Sequence, residues 1–498
     1  MKRIGLTILA ALALFSGLFA QNVDDALRYS QVFYGGTARF MSMGGAFTAL
    51  GGDISTLSQN PAGIGVFRSS EMSVTPQLNY INSTAGFNGT TEDYIYNFNL
   101  SQAGFVSNII SNNTKTGLIK LNFGYSFNKT NNFHQSTLIQ GINNTSSMAD
   151  YWAGSASKDG GTKYYDLSGP EGIAFDTYVI DTITGSGGRS YGTVFSNYED
   201  NPPSRYGQSV SRLISNEGFT GEHAISIGGN YSDKIYFGAT FGISQLRYTS
   251  QFQHSEIAND AMISQFKNFN YLDYYEDRGT GYSFKLGAIF KPVESMRIGV
   301  AFHSPVWYHI DQYFFETISS NFTDGNRYES SNDPMRFNYA VTTPFRFLGG
   351  IAIQIKKFAL LSADYEFVDY NMAKFSQTGD GFNYSAKNDS INANLQSTSN
   401  FRVGGEFRFN KLYLRSGYSY YGKPFQHNNV NADMDYNSIS GGIGFREKGF
   451  SLDFGYTHLS SSQVYFLYTV PKGVETAKAN ISTNQNMFTI TFGYKFGY

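Results

Sequence analysis

Phe488-Thr489-Ile490-Thr491-Phe492-Gly493-Tyr494-Lys495-Phe496-Gly497-Tyr498 closes the chain. Successive side chains of a strand point to opposite faces. Phe488, Ile490, Phe492, Tyr494, Phe496 and Tyr498 therefore share one face, and Thr489, Thr491, Gly493, Lys495 and Gly497 the other. One side is aromatic and greasy; the other is small and polar. That period of two is the signature of a strand between two unlike environments.

The same alternation recurs upstream. Phe345, Phe347, Ile351, Ile353 and Ile355 alternate with Arg346, Ala352, Gln354 and Lys356. Leu361, Tyr365 and Phe367 alternate with Ser362, Asp364 and Glu366, and Phe401, Val403, Phe407 and Phe409 with Arg402, Glu406 and Arg408. In a soluble sandwich the charged face would be the outside. In a membrane barrel the aromatic face meets lipid and the charged face lines the lumen. Loop lengths separate the two. Short turns at 230–234, 291–295, 356–357, 409–411 and 446–449 alternate with long connections at 141–221, 255–278, 319–343, 371–399, 423–436 and 460–486. Short turns at one end and long loops at the other are the asymmetry of outer-membrane barrels. The expected fold is all-β: a transmembrane antiparallel β-barrel of about 14 strands, an even number. Strands are expected at 71–81, 93–108, 117–140, 222–231, 234–254, 279–291, 295–317, 344–356, 357–370, 400–410, 411–422, 436–446, 449–460 and 487–498. The third is too long for a bilayer and is expected to project beyond it.

Composition agrees. Lys plus Arg number 37 against 39 Asp plus Glu, so no basic excess argues for nucleic acid. The chain has no Cys, which excludes disulfides, thiolate metal sites and Cys nucleophiles. An aromatic content of 17% suits strands with one greasy face better than a soluble enzyme. Residues 1–20 read as a secretory signal: Lys2 and Arg3, then the apolar run from Ile4 to Leu14, with Ala20-Gln21 the expected cut. No second apolar run is long enough to be a membrane helix.

Between the leader and the first strand lies Gly36–Ile64, GTARFMSMGGAFTALGGDISTLSQNPAGI. It is nearly uncharged and rich in small residues. Gly44, Gly45, Gly51 and Gly52 limit helix to a turn or two, and Pro61 holds Asn60 extended. We read 21–70 as an N-terminal hatch, or plug, in the lumen, and 71–498 as the barrel with long outer loops.

These residues resemble a known family, the FadL/TodX-type outer-membrane transporters of long-chain fatty acids and other hydrophobic compounds. Gly36, Ala38, Arg39, Gly44, Gly45, Asp53 and Asn60-Pro61-Ala62 resemble the family's hatch. Thr343 to Tyr370 and Arg402 to Tyr418 resemble two of its strand pairs. The spread of aromatics is similar to the Bacteroidetes branch, where some relatives are labelled haemin receptors and others assist secretion. The terminal aromatic strand looks like the signal of bacterial outer-membrane barrels, which makes the barrel-assembly machinery an expected partner. The resemblance implies a protein of the Gram-negative outer membrane, a monomer among outer-membrane lipid. Its implied work is passive uptake of a hydrophobic small molecule or lipid, with no cofactor. The alternatives are a secretion or surface-assembly factor on the same barrel, a haemin binder, or an open porin.

No HExxH, GxSxG or P-loop appears, so no enzyme is expected. His303 and His309, six apart on one expected strand, would share a face, with Asp311 close by. No metal ligand set is drawn from them. Lumen charges such as Asp364, Glu366, Arg402, Glu406, Arg408, Arg415 and Asp453 are expected to pair and hold the hatch. Two loop segments, 205–215 and 255–266, are expected to be short amphipathic helices. They would bring Val210, Leu213, Ile214, Ile257, Ala261, Met262 and Phe266 into a greasy landing groove, as helices in the outer loops do in the family.

Overall fold

The computed structural model describes residues 22–112, 116–183, 187–195, 206–258, 265–379, 381–468 and 476–496. The expected signal segment, Ala261 and Met262 lie outside these. Fourteen antiparallel strands form a closed wall. They are β1 (Ser70–Gly86), β2 (Thr90–Ser111), β3 (Leu118–Asn132, continued by Gln135–Asn143), β4 (Gln208–Tyr231), β5 (Ile235–Ile257), β6 (Phe266–Val293) and β7 (Met296–His303, continued by Trp307–Phe322). They continue as β8 (Met335–Thr342, continued by Arg346–Ile355), β9 (Ala359–Asp369), β10 (Ser397–Phe409), β11 (Leu412–Tyr421), β12 (Tyr436–Glu447), β13 (Phe450–Phe466) and β14 (Lys478–Phe496). β14 pairs with β1 from Ser70↔Phe496 to Gly86↔Asn480, which closes the ring.

Each strand answers to an expected one, and the faces fall as the alternation requires. Phe347, Ile351, Leu361, Phe401, Phe407, Phe488 and Phe492 are exposed on the outer surface. Asp364, Glu366, Arg402, Glu406, Thr489 and Thr491 are buried inside. The wall is uneven in height: β6 has 28 residues and β4 has 24, whereas β9 has 11 and β11 has 10. At about 3.4 Å per residue, the tall strands stand well clear of a bilayer.

Three expectations are corrected. Segments 205–215 and 255–266 are not helical where described: Gln208 onward is β4, Ile257 ends β5 and Phe266 opens β6. The two histidines do not share a face. His303 pairs with Lys285, but Trp307 pairs with Tyr282, so four steps on β7 match three on β6. The Ser304-Pro305-Val306 kink reverses the parity, leaving His303 buried and His309 exposed. Arg408 does not reach the hatch; it is exposed, and its Nε donates to the Asn410 carbonyl at 3.1 Å.

Two bodies of chain fill the barrel above the hatch. A cap of α3 (Met148–Ala156) and α4 (Gly169–Asp176) buries Trp152 against Phe269 and Tyr271. Ser147 and Asp150 form a capping box at the start of α3. On the other side, α1 (Val23–Ser30) packs Leu27 and Tyr29 into a cluster with Tyr248, Tyr339, Phe375 and Ile391 of α5 (Ser385–Asn394).

Candidate functional site: the hatch, the cavity above it and a seam in the wall

The hatch has little regular structure of its own. α2 (Ala38–Ser42) is a single turn capped by Thr37. Asp53 and Asn60 cap two short 3₁₀ turns, Ile54–Ser58 and Pro61–Val66. Gly44 and Gly45 sit at φ 62° and 70°, a left-handed conformation that side chains disfavour. So short an element cannot bury its own polar backbone, and the wall supplies the partners. Asn122 donates to the Ile64 carbonyl at 2.7 Å, Thr240 to Leu57 at 2.9 Å and Lys285 to Ser58 at 2.7 Å. Arg297 donates to the Leu50 carbonyl at 2.6 Å, and Ser419 to Gly44 at 2.8 Å. Asp364 accepts the Thr48 amide at 2.8 Å, and Thr491 accepts the Ala38 amide at 2.6 Å. The wall's polar face is thus matched to the hatch backbone, as buried polar groups require.

The quoted hatch residues meet in this bonding. Arg39 reaches Glu406 at 3.0 Å and the Gly52 carbonyl at 3.1 Å. Glu406 also takes Arg415 at 2.7 Å, and Arg415 takes Asp453 at 2.6 Å. Asp53 accepts Thr37 Oγ1 at 2.8 Å. Asn60 accepts the Ala62 amide at 3.1 Å and donates to the Thr48 carbonyl at 2.5 Å, so the Asn-Pro-Ala turn ties one hatch loop to another.

Above the hatch lies a cavity of about 300 Å³. Its apolar lining includes Leu27, Phe33, Met41, Phe133, Leu459 and Met487; its polar lining includes Arg28, Lys129 and Arg402. Arg402 is 1% exposed. Its Nη2 donates to Glu366 at 2.5 Å, and Glu366 also pairs with Arg346. Among the described residues the Nε and Nη1 of Arg402 have no hydrogen-bond acceptor, and its guanidinium lies over the rings of Tyr34 and Tyr421. Buried, unpaired guanidinium donors at a cavity wall favour an anion there.

The wall beside the cavity is interrupted. β2 and β3 pair from Ser111↔Lys120 to Gln102↔Asn128 and no further. Ser136 reaches Asp93 by a side-chain bond of 2.5 Å higher up. Between these points the lead into the hatch occupies the seam. Phe33 and Gly35 donate their amides to the carbonyls of Thr130 and Lys129 at 2.7 and 2.8 Å. Gly36 exchanges two 3.1 Å bonds with the Ser101 hydroxyl of β2. Lys129 and the run from Asn131 to Gln135 line the cavity beside this seam.

The described landing-groove residues do not form one outward-facing groove. Val210 and Phe266 are buried under the cap, with Ile214 packed against them. Leu213 and Ile257 face outward. The cavity residues on α1 were missed, although Asn22 and Asp25 form a capping box that marks a helix start.

A family model described as outer membrane protein transport protein (OMPP1/FadL/TodX) matches residues 190–496. The chain belongs to this family. The FadL/TodX proteins are outer-membrane transport channels, so the chain is a transporter of the outer membrane and not an enzyme. The fold is shared with solved structures of low identity. A FadL homologue of Pseudomonas aeruginosa is 13% identical, with TM-score 0.54, over 94% of this chain and all of that one. The toluene transporter TodX of P. putida is 11% identical, with TM-score 0.52, over 93% of this chain and 99% of that one. None of the curated proteins matches by sequence.

Proposed function

We propose that this FadL/TodX barrel takes up long-chain amphipaths with an anionic head, of which a long-chain fatty acid is the simplest. The observation that carries this is the pairing of an apolar cavity with the unpaired donors of Arg402 at its wall, and Lys129 beside it. Each CH₂ taken from water contributes about 0.8 kcal/mol, so a long tail drives entry without any coupled energy source. The head then settles against Arg402, where a charge-assisted bond satisfies donors that water otherwise has to reach. The seam between β2 and β3 is the exit toward lipid: it needs only the lead at 33–36 to withdraw, not the whole hatch. A neutral aromatic cargo, such as the toluene named for TodX, would leave the Nε and Nη1 donors of Arg402 without an acceptor and is the weaker reading.

The test is mass spectrometry of small molecules retained by the purified barrel, followed by displacement with added carboxylates and alcohols of equal chain length. Long-chain carboxylates should be retained and should displace one another. Retention of neutral aromatics with indifference to carboxylates would refute the proposal.

A further inference from the structure

The short turns carry a pattern that transport does not use. Lys234 lies between β4 and β5, and Lys291 in the last turn-ward residues of β6. Lys356 and Lys357 lie between β8 and β9, Lys411 between β10 and β11, and Lys448 between β12 and β13. The acids in or bordering these same turns are Asp233, Glu294 and Glu447. Glu294 holds Lys291 at 2.5 Å, and Glu447 holds Lys411 at 2.6 Å. Among the described residues no carboxylate forms an ion pair with Lys234, Lys356, Lys357 or Lys448. The whole chain is −2, so this cationic face stands against an acidic remainder.

Depth identifies what the lysines face. Each is next to an outward, exposed apolar side chain that ends the lipid-facing wall: Ile235 beside Lys234, Phe358 beside Lys357, Leu412 beside Lys411, and Phe450 two residues after Lys448. An ammonium one or two residues past the last lipid-facing side chain sits at headgroup level. Lys356 and Lys448 occupy turn positions at φ 51° and 45°, where glycine or asparagine fits with less strain. Short turns of outer-membrane barrels face the periplasm.

We propose that this face is a binding surface for the anionic phospholipid headgroups of the periplasmic leaflet. Lys234, Lys356, Lys357 and Lys448 are its free cations. The surface gathers headgroup phosphates around the turns and fixes the barrel's depth on that side, independently of any cargo.

The test places the full-length protein in nanodiscs of equal phosphatidylglycerol and phosphatidylcholine and counts retained lipids by native mass spectrometry. Phosphatidylglycerol should be enriched at low salt, and the enrichment should fall as salt rises. Replacing Lys234, Lys356, Lys357 and Lys448 by Gln should reduce it at least about threefold. The same change at the outer-side lysines Lys163, Lys374, Lys423 and Lys478 should leave it intact. Heat-modifiable gel migration reports folding of each variant. Should the first variant not fold, the wild-type salt series decides alone. Equal retention of both lipids, or equal loss in both variants, overturns the proposal. So does tight binding of a soluble acidic peptide with no lipid enrichment, which would reassign the face to an acidic protein.

Discussion

Asp364 of the wall accepts the amide of Thr48 in the hatch at 2.8 Å. Both groups are buried, so bulk water does not readily replace the bond. Asp364→Ala leaves a buried amide unpaired, at about 1–3 kcal/mol. The hatch should open transiently. In planar bilayers the variant should show discrete conductance steps where the wild type is quiet, with no change in barrel thermal stability beyond that amount.

Arg402 is predicted to discriminate on head group and not on tail. Removing a hydrogen bond to a charged partner costs about 1.5–3 kcal/mol. Arg402→Gln should therefore weaken a long-chain carboxylate by roughly tenfold or more, and leave the alcohol of equal length within about twofold. Fluorescence displacement in detergent measures both. Glu366→Gln, which removes the carboxylate that partly neutralises Arg402, should act in the opposite sense, tightening the carboxylate and leaving the alcohol within about twofold.

Phe33 holds the seam lead by packing between Tyr421 and Tyr436, with ring centroids 4.8 Å from each. Phe33→Ala removes that packing, worth about 2–4 kcal/mol for a partly buried ring. Amide exchange at Phe33 (now Ala) and Gly35, whose bonds reach Thr130 and Lys129, should accelerate at least tenfold. The amides of β9 should not change. If the seam is the exit, release of bound ligand into vesicles should speed up as well.

Asp150, in the outer cap, has its carboxyl pushed up by burial to about 6, against hydrogen bonds from Ser147 and Tyr206 that favour the charged form. A folded-state value above the ordinary one means the folded cap binds its proton more tightly. Its contribution is present in full below about pH 4 and is lost as pH rises through about 6. Hydrogen exchange in α3 should be slower at pH 4.5 than at pH 7.5 after correction for intrinsic rates. Asp150→Asn should flatten that difference.

The wall was legible because lipid and hatch impose opposite demands on alternate residues. Phe401 and Arg402 read as neighbours on opposite faces, and they are. That contrast fades above the bilayer. There the inward side chains of β4 and β5 include Arg212, His254 and Glu256, bonded to one another beneath the cap. A polar row facing inward breaks the alternation, and the leftover Val210, Leu213 and Ile214 mimic a helical stripe. The His303–His309 pair failed for a different reason: a kink shifts parity, and Pro305 was the sign that a ladder would break there. Of the cavity, the pairing charges were visible along the strands. What could not be seen was which of Arg402's donors would be left over, because that depends on Tyr34 arriving from a distant part of the chain as well as on Tyr421 across the β10–β11 hairpin.

Thr491 receives the Ala38 amide and also bonds the Thr75 hydroxyl of β1 at 2.8 Å. One hydroxyl near the carboxyl end therefore joins the last staves of the cylinder and grips its stopper at once. A cylinder sealed empty would lack, at its own closing edge, a bond that only the correctly filled one makes.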